Sequence, residues 1–317
     1  MPRKPKNDIS GWVNLNKPAG MTSNDALMKL KRALNFPKIG HAGTLDPLAS
    51  GILPIALGEA TKLVQYMMED DKVYLFTVKW GEQRTTDDAE GEVMASSPIR
   101  PTEAQIRAIL PEFIGTIQQR PPTFSAIKVD GQRAYDLARA GKPPELEARP
   151  VDIYEFDIAE YGAEETTFRV VCGKGTYVRS LARDMGLALG TYGTITKLIR
   201  EAVGPFSLEN AISLDFFSEN PDKPSQEQHK LESAVLPIET VLDDIPVLAV
   251  TDPEAQRLRN GQKLTFVARP DIQRLTSIGL DFRSDAPGIV LASYRGKALA
   301  ILEFQGVEAQ PVRVFNL

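Results

Sequence analysis

Between Gly40 and Gly51 the chain reads Gly-His-Ala-Gly-Thr-Leu-Asp-Pro-Leu-Ala-Ser-Gly, a run through which no helix or strand continues. Its three glycines admit left-handed or closely approached backbone, and Pro47 fixes the dihedral immediately after Asp46. Any fold this chain adopts must therefore turn here and carry a loop. That loop holds a carboxylate beside His41, one of two histidines in the chain. On residues alone Asp46 has two readings, an Asx-type turn that holds its own backbone or a group presented for chemistry.

The flanking patterns predict elements of both kinds. Gly11 to Leu15 reads as a strand, Lys17-Pro18-Ala19-Gly20 as a turn, and Ser23 or Asn24 as the N-cap of a helix with Ala26, Leu27, Leu30, Ala33 and Leu34 at helical spacing. After the loop come an apolar strand from Ile52 to Leu57, a helix from Glu59 to Glu69 and an alternating strand from Lys72 to Trp80 that carries Tyr74. Helices are expected over 102–110 and 132–140, and strands over 151–157 and 167–172. Gly173-Lys174-Gly175 then turns into a helix starting near Thr176, with Val178, Leu181, Ala182 and Met185 as its buried face. Strands mixed with separate helices indicate an α+β domain. The polar stretch from Ser218 to Lys230 reads as a surface loop, which leaves His229 without a catalytic role. Short alternating segments after Ile245-Pro246 suggest a small β-rich unit, which divides the chain into 1–245 and 246–317.

At 317 residues and 42% hydrophobic content the chain can bury a large core. No run approaches the roughly 20 apolar residues that span a bilayer, and the start lacks the apolar core of a signal peptide, so a cytoplasmic, membrane-free protein is expected. The single Cys172 is expected to be a small buried residue, and two histidines far apart suggest no metal site. A net charge of −5 does not advertise a nucleic-acid binder. The charge is segregated, however: the N-terminal part and the run from Thr166 to Arg200 lean basic while acid collects between Glu201 and Asp244, which permits a basic face.

Several longer motifs, taken in order, resemble the bacterial TruB family of tRNA pseudouridine-55 synthases from about Gly11 to the C-terminus. They are Asn16 to Ser23, Gly40 to Gly51, Gly58-Glu59-Ala60-Thr61-Lys62, Arg120-Pro121-Pro122 with Phe124 to Val129, Gly131 to Tyr135, Lys174 to Asp184, and Val203-Gly204-Pro205-Phe206. The resemblance implies the pseudouridine-synthase fold, a mainly antiparallel mixed sheet with flanking helices and a central cleft, followed by a small PUA-like RNA-binding domain. It implies isomerisation of uridine 55 in the T-loop of tRNA, on an extruded uridine, with no metal or organic cofactor. The expected partner is tRNA through its T-loop and T-stem, and the expected state is a monomer, although the residues themselves fix no oligomeric state.

By motif position Asp46 is the family's nucleophile, attacking either C1′ of the ribose or C6 of the base. Arg179 is the cation that pairs with it, where the residues alone allow a surface arginine. Tyr74 is the tyrosine that stacks on the base and assists removal of the C5 proton, and otherwise a core aromatic. His41 is implied to stack in the T-loop, with turn packing as the alternative, while Tyr177 either hydrogen-bonds in the pocket or packs. Leu198 is implied to wall the uracil pocket, and Lys17 and Lys62 to contact phosphate unless they are merely solvated. Departures occur at Ile199, Glu201 and Ala202, where the family pattern is basic and phosphate contacts are expected to weaken. The stretch from Phe266 to Gly288 is longer than usual. A tRNA-binding folding chaperone that does not need Asp46 is the alternative from another class. An aspartate-nucleophile hydrolase lacks a second acid at a defined spacing.

Overall fold

The computed structural model describes residues 9–125, 127–129, 131–217, 232–280 and 288–317. The expected 218–230 loop with His229, the first eight residues, Ala126 of the matched motifs, and Asp130 between two of them lie outside them. In chain order the first part comprises β1 (Gly11–Lys17), α1 (Ser23–Leu34), β2 (Ile39–His41), β3 (Ser50–Leu57), α2 (Val64–Met67), β4 (Lys72–Trp80), β5 (Glu82–Arg84), β6 (Val93–Ser96), α3 (Glu103–Ile109), β7 (Gly115–Gln119), β8 (Lys128–Val129), β9 (Gln132–Arg133), α4 (Ala134–Arg139), β10 (Arg149–Glu160), β11 (Glu165–Cys172), α5 (Val178–Ala188), β12 (Gly193–Val203), β13 (Phe206–Ser207) and β14 (Ile212–Ser213).

Among the described residues a ten-stranded sheet runs β14-β1-β3-β12-β4-β11-β10-β7, with β2 on β3 and β13 on β12. All its pairings are antiparallel except β1 with β14 and β12 with β3, so the sheet is mainly antiparallel, as expected. β4 shows why the sequence takes this form: its burial alternates strictly, with Tyr74, Phe76, Val78 and Trp80 turned inward. Phe76 packs on Phe168 of β11 and Phe156 of β10 at ring-centroid distances of 5.5 and 5.9 Å. α1 and α5 contribute Ala26, Leu30 and Leu34, and Val178, Leu181, Ala182 and Met185, to the same buried cluster. Cys172 belongs to it too, and burial pushes its thiol up to about 12.

Three local expectations change. Thr22 caps α1, through a reciprocal capping box with Asp25, and Ser23 is the first helical residue. The helix expected over 59–69 is a 3-10 segment from Gly58 to Leu63 followed by one α turn. Thr61 Oγ1 donates to the Gly58 carbonyl at 2.7 Å and so competes for an acceptor a regular helix would use. Gln132 and Arg133 pair with β8, which delays α4 to Ala134.

The C-terminal strands are β15 (Val247–Ala249), β16 (Leu264–Thr265), β17 (Gly288–Tyr294), β18 (Lys297–Gln305) and β19 (Glu308–Val314). They form a separate sheet of order β15-β17-β18-β19-β16, so the molecule is α+β, with one large, mainly antiparallel sheet and a small β-rich unit, as expected. Much of the longer stretch expected over 266–288 is a helix, Arg269–Ser277, that buries Leu275 in this unit's own core. The two sheets are joined by a shared apolar cluster that includes Trp12, Ile52, Ile238, Leu291, Ile301 and Phe315. Among the described residues no helix is long and apolar enough to cross a membrane.

Candidate active site

The Asp46 loop leaves β2 at His41 and enters β3 at Ser50. The buried hydroxyl of Ser23 accepts from the Leu45 N–H at 2.8 Å and donates to the Leu45 carbonyl at 3.0 Å. The Gly20 N–H donates to the Pro47 carbonyl at 2.8 Å, and the Ala49 N–H to the Asp46 carbonyl at 3.1 Å. The backbone on both sides of Asp46 is thus held while its carboxylate faces outward.

Arg179, in the first turn of α5, brings a guanidinium to that carboxylate. Nη2 donates to Oδ1 at 3.1 Å, and Nε lies 2.9 Å from Oδ2 as a close ion contact that is not aligned as a hydrogen bond. Its other contacts are the Thr86 and Phe124 carbonyls, each accepting at 2.9 Å. Asp88, 2% exposed, sits behind with Oδ2 3.5 Å from Nη1. The Arg179 side chain is 6% exposed and that of Asp46 34%, so the cation is buried behind an accessible acid. Such a carboxylate can act as a nucleophile whose charge is supported from within.

The remaining expected residues fall into two groups. Tyr74 is buried on the same sheet face, with its hydroxyl held above its ordinary range by burial, against the opposing charge of Arg200. Leu198 is buried opposite Phe76 in the same cluster. His41 lies at the loop entrance opposite Ile55; its Nδ1 is buried without a hydrogen-bond partner, and burial together with Arg200 pulls its pKa down, favouring the neutral ring. Tyr177 is the N-cap residue of α5, its N–H donates to Gln119 Oε1 at 2.7 Å, and the Arg149 guanidinium stands 5.4 Å above its ring.

The two lysines take other positions than exposed phosphate contacts. Lys17 is fully buried beneath the loop, where Nζ donates to the Pro18 and Met21 carbonyls at 2.9 and 2.7 Å. Burial pulls its pKa to about 8 although Asp46 opposes this. Lys62 pairs with Glu59 at 2.6 Å and donates to the Val314 carbonyl at 2.7 Å, which ties the segment after β3 to β19. Glu201, at the departure from the basic pattern, pairs with Arg169 of β11 at 3.2 Å.

Three site residues are not legible in the sequence motifs read above. Asp88 sits in the polar run Thr85-Thr86-Asp87-Asp88 before Gly91, a loop signal whose partner is set only by tertiary contact. Ser23 has the chemistry of a helix cap and serves the loop instead. Arg200 resembles any strand cation until the fold buries it. Among the described residues no three His, Cys, Asp or Glu side chains gather as a metal-ligand set.

The comparisons with known proteins agree with one another. The family described as "TruB family pseudouridylate synthase (N terminal domain)" matches residues 31–178, and "tRNA pseudouridylate synthase B C-terminal domain" matches 179–243. A tRNA pseudouridine synthase B of Rhodopseudomonas palustris is 49% identical over all of this chain and 83% of its own length. Its counterpart from Caulobacter vibrioides is 47% identical with both chains fully covered. Among solved structures, a chain of a Cbf5-Nop10-Gar1 complex matches at 26% identity with a TM-score of 0.72, covering 96% of this chain and 85% of that one. A chain of an H/ACA RNP bound to a substrate RNA containing 2'-deoxyuridine shares the fold at 24% identity and a TM-score of 0.68, covering 97% and 85%.

Proposed function

We propose that this chain, which belongs to the TruB family of pseudouridylate synthases and is a tRNA pseudouridine synthase, isomerises uridine 55 in the tRNA T-loop with Asp46 as the nucleophile. The observation that carries this reading is the ion pair of Arg179 with Asp46, a buried cation behind an accessible carboxylate on a loop fixed at both flanks.

The reaction breaks the bond from C1′ to uracil N1, turns the base, and joins C1′ to C5; C5 loses a proton and N1 gains one. The Asp46 carboxylate adds to C1′ or to C6 and is released when the new C–C bond has formed. Arg179 pairs with it and aims it. Tyr74 stacks on the base and takes part in moving the C5 proton, and Leu198 closes the apolar wall. The target uridine leaves the T-loop to reach the acid, and the neutral ring of His41 stacks in its place. Tyr177 lines the pocket beside Arg149. Lys17 supports the loop from below, and Lys62 fastens the C-terminal unit with its charge near the RNA face. That unit, 246–317, is the PUA-like RNA-binding domain, docked on the catalytic domain of 1–245. The protein acts in the cytoplasm as a monomer, without metal or organic cofactor.

Release of tritium from C5-labelled uridine in an unmodified tRNA transcript tests this. Wild type should release label equivalent to one uridine per tRNA, placed at position 55 by sequencing, and Asp46→Asn should bind tRNA and release none. Release by Asp46→Asn would refute the nucleophile, and absence of release by a folded, tRNA-binding wild type would favour the chaperone reading.

A further inference from the structure

A carboxylate that must meet one carbon atom has to be held to within a fraction of an ångström, and a loop achieves this only if its two ends are fixed against each other. Arg200 of β12 touches both ends. Its backbone lies beside the loop exit, with Arg200 in parallel register with Gly51 and Ile199 with Ser50. Its side chain turns back across the loop, where Nη2 donates to the Gly43 carbonyl at 3.0 Å and Nε to the Ile52 carbonyl at 2.7 Å.

The surroundings are shaped to this side chain. Gly51 has φ +105° and a Cβ there would stand 2.2 Å from the Arg200 carbonyl oxygen. Gly43 has φ +81° and its Cβ would stand 3.3 Å from Nη1. A register shift between Arg200 and Ala202, opposite Tyr74 and Val73, interrupts the pairing with β4 directly after Arg200. Bulges of this kind re-aim side chains beside active sites.

The charge is as telling as the contacts. Arg200 is 2% exposed, and among the described residues no carboxylate lies within ion-pair distance of it. Lys17, Lys72, His41, Tyr74 and Cys172 are its charged or titratable neighbours, and the guanidinium lowers the pKa of each in part, although burial holds the tyrosine and the thiol above their ordinary values. A buried cation answered by carbonyl dipoles and the Tyr74 hydroxyl, with no carboxylate beside it and with Lys17 and Lys72 nearby, works against stability, so packing alone does not account for it.

We propose that Arg200 is a positioning residue that ties the entry and the exit of the Asp46 loop together and so sets the acid against Arg179. The inference rests on Asp46 being the nucleophile. Arg200→Met, Arg200→Lys and Asp46→Asn are to be compared with wild type by thermal melting, by equilibrium tRNA binding, and by single-turnover tritium release from prebound tRNA. The Met variant should lose about 100-fold in single-turnover rate, the Lys variant about tenfold or more because a single ammonium nitrogen cannot occupy the separate Nε and Nη2 positions, and tRNA affinity should stay within about threefold. In Arg200→Ala, added ethylguanidinium should restore rate in a saturable way.

Wild-type turnover by folded Arg200→Met or Arg200→Lys overturns the proposal. Equal losses of rate and affinity in both variants, without rescue by ethylguanidinium, also overturn it, because they mark an RNA contact or a general structural role. Turnover by Asp46→Asn removes the nucleophile and this inference with it, whereas an inactive Asp46→Asn beside a fully active Arg200→Met removes the inference alone.

Discussion

Ser23 and Thr22 are neighbours with the same chemistry, and the structure gives them different tasks, so replacing each with alanine should have different consequences. Thr22 caps α1 at the surface, and a lost cap costs about 1 kcal/mol. Ser23 makes two bonds to Leu45 inside the protein, at 2.8 and 3.0 Å, and is 1% exposed. Ser23→Ala removes about 1 kcal/mol of net hydrogen bonding and leaves a buried amide unpaired, which adds about 1–3 kcal/mol, for a total of about 2–4 kcal/mol. At roughly 2–4 °C per kcal/mol for a chain of this size, Tm should fall by roughly 4–16 °C in Ser23→Ala and by roughly 2–4 °C in Thr22→Ala. Because Leu45 precedes Asp46, only Ser23→Ala should also slow single-turnover tritium release below the melting range. Matching Tm shifts with unchanged turnover in both variants would show that the hydroxyl does not hold the loop.

Three further outcomes follow from particular contacts. Gly51→Ala forces a Cβ to 2.2 Å from a backbone oxygen at φ +105°, so it should lower stability by about 3 kcal/mol or more; a melting curve like that of wild type would contradict the parallel β3–β12 contact. Burial raises the Asp87 carboxyl to about 6 despite Arg183 at 3.3 Å, above its unfolded value of 3.8. Its contribution is present below the unfolded value and lost as pH rises through about 6, so Asp87→Asn should gain Tm relative to wild type between about pH 4 and pH 7, and a pH-independent difference would refute the shift. Affinity for tRNA should fall linearly on a log–log plot against salt, and a flat plot would remove the basic face from the account.

The regular parts of the fold were legible because their signals are local. Alternation over Lys72–Trp80 sets Tyr74 on one face with Phe76 and Val78, which the fold turns inward, and the apolar spacing of Val178, Leu181, Ala182 and Met185 gives α5 its face. The motifs singled out Asp46, Tyr74 and Arg179, and the fold brings Arg179 onto Asp46 from 133 positions away. Legibility ended where two segments compete for the same chemistry. Thr22, Ser23 and Asn24 are all able to cap a helix, and only the approach of Leu45 decides that Ser23 does not. Lys17 and Lys62 read as exposed cations because charge normally implies solvent, yet one is enclosed by a turn and the other by the C-terminal strand. Asp88 and Arg200 gain their meaning from contacts with segments far away in the chain, which periodicity cannot convey.

The cluster that holds both Trp12 and Phe315 also sets a timetable for synthesis. Trp12 is made well before Leu291, Ile301 and Phe315, which belong to the apolar surface it packs into and follow it by roughly 300 residues of synthesis. At about 5–20 residues per second, β1 waits many seconds for that cover, so an interrupted chain exposes an indole beside an unfinished sheet edge. The same closure makes Phe315, just past β19, part of the support of the Asp46 loop: its loss would leave every proposed active-site side chain in the polypeptide while thinning the cluster that holds Ala42 and Ile52, on either side of that loop.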